Sequence, residues 1–294
     1  VTETDGLKTQ QPAAAFLLTL SCADRIGIVA EVAGFLAGRG CNIVESAQYG
    51  DPESGRFFLR TGFEPPRGAS VGELEAAFEP IAARFGMAAT FRDMRRKTPT
   101  LIMVSRLGHC LNDLTFRWRI GALPIDIKAV VSNHLDFAEL AAANGLPFHH
   151  LPVAPANKAA QEATLEGLIE REGVELVVLA RYMQILTPQL CARHTGRIIN
   201  IHHSFLPSFV GARPYHAAHQ RGVKLIGATA HYVTEDLDEG PIIEQAVERV
   251  THTLTVNDYV AVGRDVEALV LARAVKWHAE GRVLLNGART VIFH

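Results

Sequence analysis

Four apolar runs in the later two-thirds of the chain constrain the fold most: "TLIMVS" (100–105), "IDIKAVVSN" (125–133), "VELVVLA" (174–180) and "RIINIHH" (197–203). Between them lie helical patterns: "CLNDLTFRWRIG", "LDFAELAAANG", "NKAAQEATLEGLIEREG" and "TPQLCARHTG". The last opens with Thr187 as N-cap and Pro188 at the first helical position. A short strand-like run, "FHHLPV", precedes the third helix. Apolar strands alternating with helices predict a Rossmann-like α/β fold, its mostly parallel sheet covered on both faces. In such sheets ligands sit beyond the carboxyl ends of the strands, and residues 200–203 fall at one such end.

The earlier part has another rhythm. "AFLLTL" (15–20) reads as a buried strand, and Ile26, Val29, Ala33 and Leu36 follow at helical spacing, with Asp24 as N-cap and Gly40 as the stop. "CNIVESAQY" and "GRFFLRTGFE" are strands, "VGELEAAFEPIAARFG" a helix kinked at Pro80, and "MAATFRDM" a fourth strand. This βαββαβ order predicts a small antiparallel sheet with both helices on one face, a ferredoxin-like unit. The expected division is a disordered leader (1–12), this unit (13–94), a linker (95–99) and the α/β domain (100–294). The α/β domain ends in a helix (about 255–281) and a short strand.

Composition narrows the function classes. The formal charge is −2, and no basic block exceeds Arg95-Arg96-Lys97, which argues against a nucleic-acid binder. Apolar residues make up 48%, yet no run approaches the ~18 apolar residues of a membrane span. Four scattered cysteines without a CxxC pair suit a reducing compartment, and the polar N-terminus has no signal-peptide core. A cytoplasmic protein is expected.

Two clusters could carry chemistry. In "NIHHSFLPSF", Asn200 and His202 share one strand face while Ile199 and Ile201 share the other. The pair fits either a capped strand entering a loop or the lip of an active site. In "HYVTEDLDEGPIIEQ", His231 sits in a strand-like run, and Asp236, Asp238 and Glu239 crowd a turn closed by Gly240-Pro241. That turn is either a solvated acidic loop or the source of a carboxylate for proton transfer. "LARYMQIL" places Met183, Ile185 and Leu186 as core residues or as a pocket lining. Five histidines lie from His202 to His231 inclusive, but only His216 and His219 are spaced for one helix face, so no metal is expected. A single glycine in "SRLGHCLND" supplies neither a dinucleotide fingerprint nor a phosphate loop. No G-x-S-x-G elbow marks a nucleophilic serine.

With those residues in view, "LTLSCADRIGIVAEVAGFLAGRGCNIVESAQ" resembles an ACT domain, a regulatory module that often binds small amino acids. "NIHHSFLPSF", "LARYMQIL" and "HYVTEDLDEGPIIEQ" resemble the folate-dependent formyltransferases, and the two modules together resemble the formyltetrahydrofolate deformylase family. The resemblance implies hydrolysis of 10-formyltetrahydrofolate to formate and tetrahydrofolate, with folate as substrate and no cofactor. It places an Asn-His-Asp trio on Asn200, His202 and Asp238, with His231 supporting them. Folate would be lined by Met183, Gln184, Ile185 and Leu186, and the pterin flanked by Glu235 and Leu237. Asp24, Gly27 and Asn42 would lie near an amino-acid effector, although Gly27 reads better as a packing residue. A homo-oligomer, dimer or tetramer, is implied through the sheet edge of the ACT domain. Formyl-transferring relatives carry a Gly-rich loop where this chain has Ser105 to His109, so water is the expected acceptor. They also usually have Pro where this chain has His203.

Overall fold

The computed structural model of the protein describes residues 14–206 and 214–294, so the expected leader lies outside the described residues. The chain divides into two compact units, a first of the residues up to Arg96 with Phe293–His294 and a second spanning Lys97–Ile292.

The first unit runs β1 (Phe16–Ala23), α1 (Ile28–Gly38), β2 (Asn42–Asp51), β3 (Arg56–Glu64), α2 (Val71–Phe85) and β4 (Ala88–Asp93). Its sheet is antiparallel, in the order β2-β3-β1-β4. Ile28, Val32 and Leu36 of α1 join Leu74, Phe78 and Ala82 of α2 over Phe16, Leu18, Leu59, Phe63 and Phe91 of the sheet. Both helices therefore cover one face, as the βαββαβ order requires.

The start of α1 corrects the sequence reading. Its N-cap is Gly27 at φ 97°, not Asp24. The Asp24 N–H donates to the Gly55 carbonyl at 2.8 Å, which holds this part of the chain at the β2–β3 turn. The helix then begins after the one residue that tolerates so positive a φ. The later start rotates the buried stripe to Ile28, Val32 and Leu36, leaving Ile26 fully exposed. α2 passes through Pro80 without interruption, between a Ser70–Glu73 capping box and Gly86 at φ 62°.

The second unit contains β5 (Thr98–Val104), α3 (His109–Arg119), β6 (Ile125–Ser132), α4 (Ala138–Ala143), β7 (Phe148–His150), α5 (Lys158–Arg171) and β8 (Leu176–Leu179). It continues with α6 (Pro188–Arg193), β9 (Ile198–His202), α7 (Pro214–Arg221), β10 (Leu225–Tyr232), β11 (Ile242–Arg249), α8 (Val256–Ala279) and the hairpin β12 (Val283–Asn286)–β13 (Arg289–Ile292). The seven-stranded sheet has the order β11-β10-β9-β8-β5-β6-β7. β9, β8, β5, β6 and β7 are parallel, and β10 and β11 close one side antiparallel.

One apolar cluster joins α3, α4 and α8 to one face of this sheet, and another joins α5 and α6 to the other. β5 begins at Thr98, inside the stretch expected as a linker, because the Thr98 N–H already reaches the Pro124 carbonyl at 3.0 Å. The expected single strand after α8 is a two-stranded hairpin, and α7 had no counterpart in the sequence reading. Thr187 caps α6 through the Leu190 N–H, with Pro188 next. No helix among the described residues is long and apolar enough to cross a membrane.

Ser70 accepts the Glu73 N–H through its hydroxyl oxygen at the start of α2, one half of the capping box. Replacing it by Ala is expected to lower stability by about 1 kcal/mol in urea unfolding, with the fold retained. An unchanged midpoint would show that the cap contributes nothing.

Candidate active site

β9 alternates cleanly: Ile198 packs on the α5–α6 face, Ile199 and Ile201 on the α3–α8 face. Asn200 and His202 thus project on the same side as Ile198, at the carboxyl end of a parallel strand. β10 then pairs antiparallel with β9 and sets His231 opposite Asn200. The Asn200 amide lies 3.2 Å from His231 Nε2, and His231 Nδ1 lies 2.9 Å from the Tyr232 carbonyl. A carbonyl only accepts, so Nδ1 carries the proton. In the neutral ring Nε2 is then an acceptor, and it takes one N–H of the Asn200 amide. The second N–H of that amide is left for a ligand.

The turn after β10 returns Asp238 to this pair. His202 Nδ1 stands 3.2 Å from Asp238 Oδ1, and His231 Nε2 stands 3.6 Å from the same oxygen. The first is a hydrogen bond with Nδ1 as donor. The second is longer than a hydrogen bond and adds attraction only when the His231 ring is cationic. Hydrogen bonding from His202 is the largest effect holding the Asp238 carboxyl well below the usual carboxylate range, against the opposing effect of burial. His202 Nε2 is buried and has no hydrogen-bond partner among the described residues.

The turn is tightly built. Asp238 has φ 58°, one of two non-glycine residues in the left-handed region among the described residues, which costs of order 1–3 kcal/mol. A Cβ on Gly240 would stand 1.7 Å from the Tyr232 carbonyl oxygen, so only glycine lets the turn close on the strand. The other left-handed residue is Arg181 at φ 65°, just beyond β8.

These groups line one cleft of about 340 Å³, together with Arg181, Met183, Gln184, Ile185 and Leu186 on one wall and Val233 to Leu237 on another. Every residue assigned by resemblance to folate binding, Met183, Gln184, Ile185, Leu186, Glu235 and Leu237, borders it. Met183, Ile185 and Leu237 are 51%, 67% and 62% exposed, so these apolar side chains are a rim and not core. An apolar cleft with a few convergent polar groups is the usual form of a small-molecule site.

The two effector candidates do not converge within the chain. Asp24 abuts Gly50, near the end of β2, whereas Asn42 begins that strand, eight residues and roughly 26 Å away at ~3.3 Å per residue. Both are exposed. Among the described residues the one group spaced to hold a metal is His109, Cys110 and Glu267, none of them a sequence candidate. Glu267 Oε2 already accepts from His109 Nε2 at 2.9 Å and faces Arg181 Nε at 3.3 Å, an arrangement that opposes a cation. Sequence reasoning missed Glu267 and Tyr215, whose hydroxyl donates to Glu267 at 2.7 Å, because their partners are far apart in the chain.

Comparison with known proteins fits both units. The ACT domain family model matches residues 16–79, and the Formyl transferase model matches residues 99–275. Formyltetrahydrofolate deformylase of Corynebacterium sp. (strain P-1) is 51% identical, over 94% of this chain and 97% of its own length. That of Bacillus subtilis (strain 168) is 48% identical, over 94% and 93%.

The chain belongs to the formyltetrahydrofolate deformylase family.

The crystal structure of formyltetrahydrofolate deformylase from Burkholderia mallei ATCC 23344 superposes with a TM-score of 0.92 at 55% identity, covering 96% of this chain and 100% of that one. Glycinamide ribonucleotide transformylase 1 from Symbiobacterium toebii matches at 32% identity and a TM-score of 0.64, covering 69% of this chain and 97% of its own. The deformylases thus match along nearly the whole chain, and the transformylase along part of it.

The Asp238 contacts fix the sign of a pH effect. Because its folded pKa is depressed, Asp238 contributes stability that is present above the unfolded carboxyl value of about 3.9 and lost as pH falls below it. The stability advantage of the wild type over Asp238→Asn should therefore shrink in urea unfolding as pH goes from 5 to 3. An advantage that grew toward pH 3 would contradict the pairing.

Proposed function

We propose that this protein hydrolyses 10-formyltetrahydrofolate to formate and tetrahydrofolate. Family membership along nearly the full chain supports the reaction class. The single observation that carries the chemistry is the meeting of an amide, an imidazole and a carboxylate at one apolar cleft: Asn200, His202 and Asp238.

Attack by water on the formyl carbon forms a C–O bond and moves negative charge to the formyl oxygen. Asn200 offers its second N–H to that oxygen, oriented by His231. His202, as an imidazolium donating Nδ1–H to Asp238, offers Nε2–H from the same side. Each such donor is typically worth ~3 kcal/mol in the transition state. Asp238 takes the proton of the attacking water. A carboxylate held so low is a weak base toward free water. Water becomes strongly acidic once it bonds to the carbonyl carbon, however, and a weak base then suffices. The proton passes to the folate nitrogen as the C–N bond breaks, leaving formate. All of these groups are protein side chains, so the reading calls for no cofactor.

The exposed apolar rim, Met183, Ile185 and Leu237, suits the flat pterin and its linker, with Gln184, Leu186 and Glu235 completing the walls. In the cell this activity would balance the one-carbon folate pool in the cytoplasm and release formate for purine synthesis. The ACT unit would bind an amino-acid effector and pair subunits into a dimer or tetramer. With Asp24 and Asn42 at opposite ends of β2, a shared effector site would need to combine them from two chains.

The test is formate release from 10-formyltetrahydrofolate supplied alone, then with glycinamide ribonucleotide. Release without the amine is expected, and dependence on the amine would make the protein a transferase. Asp238→Asn should lower turnover by about 10²–10⁴-fold while still binding tetrahydrofolate. Near-normal turnover in that variant would remove Asp238 from the mechanism. Asn200→Ala is expected to cost ~3 kcal/mol, about a hundredfold in kcat.

A further inference from the structure

Behind the cleft lies a buried carboxylate that the mechanism above does not use. Glu267 on α8 is 1% exposed and gathers three segments of the unit. His109, from the head of α3, approaches Oε2 at 2.9 Å. The Tyr215 hydroxyl, from α7, donates to Oε1 at 2.7 Å. Arg181, from the cleft wall, places Nε 3.3 Å from Oε2. Burial alone would push the Glu267 carboxyl up, but these partners outweigh it and hold the group below its ordinary value.

Two features show that the arrangement is built. Gly263 lies one turn before Glu267 on α8, and a Cβ there would stand 2.1 Å from the Tyr215 ring. The helix is notched at that point, so the ring lies against it and its hydroxyl reaches the carboxylate four residues on. Arg181 is held at both ends. Its backbone carbonyl accepts the Ser105 N–H at 3.1 Å, and its side chain faces Glu267. The Ser105 hydroxyl in turn accepts the Met183 N–H at 2.9 Å and donates to Asn133 at 2.7 Å.

The hub touches the site from two directions. Through Arg181 it braces the left-handed residue from which the wall Met183–Leu186 departs. Through Tyr215 it meets His203, whose ring centroid is 6.4 Å from the Tyr215 ring and 5.0 Å from the His202 ring. We infer that Glu267 is a positioning residue of the cleft, fixing the folate-side wall through Arg181 and the His202–His203 pair through Tyr215. A buried anion suits this task better than an apolar side chain, because one carboxylate can hydrogen-bond two segments, through His109 and Tyr215, and attract the charge of Arg181 on a third.

The kinetic arm of the test rests on the hydrolytic reading, and hydrogen exchange of the ligand-free protein does not. Glu267→Gln should speed amide exchange at residues 181–186 by at least tenfold, while amides of β5 and β6 stay as in the wild type. In turnover it should raise KM for 10-formyltetrahydrofolate at least tenfold, which a merely smaller folded fraction would not do. Adding Arg181→Gln should change KM less than twofold further. Tyr215→Phe, which keeps the ring in its notch, is the milder variant and should lower kcat/KM three- to tenfold. A folded Glu267→Gln protein with wild-type exchange at 181–186 and KM within twofold would overturn the proposal. Should Glu267→Gln fail to fold, wild-type exchange and kinetics in Tyr215→Phe would overturn it instead. A wild type that releases no formate would sink the hydrolytic reading alone, leaving the exchange result to decide the role of Glu267.

Discussion

The antiparallel pairing of β10 with β9 is the constraint on which the site depends. It sets His231 across from Asn200, so that a ring fixed by the Tyr232 carbonyl orients the amide. The same pairing fixes where the chain leaves β10, and hence where the turn can bring Asp238. A one-residue slip would send His231 to the opposite face of the sheet. The irregular register between Ala230 and His231 lies where β10 pairs with β11, beside that turn, and Gly240 lets the turn fold onto the strand end. One strand pair and one turn thus bring three polar side chains to an apolar cleft.

Among the described residues, the backbone strain of this unit lies at the same place. Both described non-glycine residues at positive φ, Arg181 and Asp238, border the cleft, one from each wall. Each is held by charge. Asp238 is tied by the His202 imidazole and Arg181 by the Glu267 carboxylate. Unfavourable backbone conformations persist where surrounding contacts over-determine them, and here the contacts doing so are the groups that shape the site. The proposed mechanism asks for this rigidity, since donors aimed in advance at a developing oxyanion avoid reorganisation during the reaction.

Much of this was legible in the sequence, for physical reasons. The apolar runs at 100–105, 174–180 and 197–203 specify strands buried on both faces, and a period of two places Asn200 beside His202 on one side. Thr187-Pro188 marks a helix start by local chemistry alone. The helix after β1 was harder, because Ile26/Val29 and Ile28/Val32 both recur at helical spacing. Only the Asp24–Gly55 hydrogen bond, thirty-one residues apart, chooses between them. The Asn200–His231 contact needs a strand register that periodicity does not supply. Glu267 was hidden most fully. In "RDVEALVL" it looks like a surface position of an amphipathic helix, and its partners His109, Arg181 and Tyr215 come from three distant segments.

The central claim is that the reacting nitrogen of folate sits among Asn200, His202 and Asp238. A crystal structure of the protein with tetrahydrofolate tests it most directly. The account predicts the N10 atom about 3–4 Å from the Asp238 carboxylate or one water away, with the pterin between the walls at 183–186 and 233–237. Folate bound with N10 far from all three side chains, while the turn carrying Asp238 keeps its place, would contradict it.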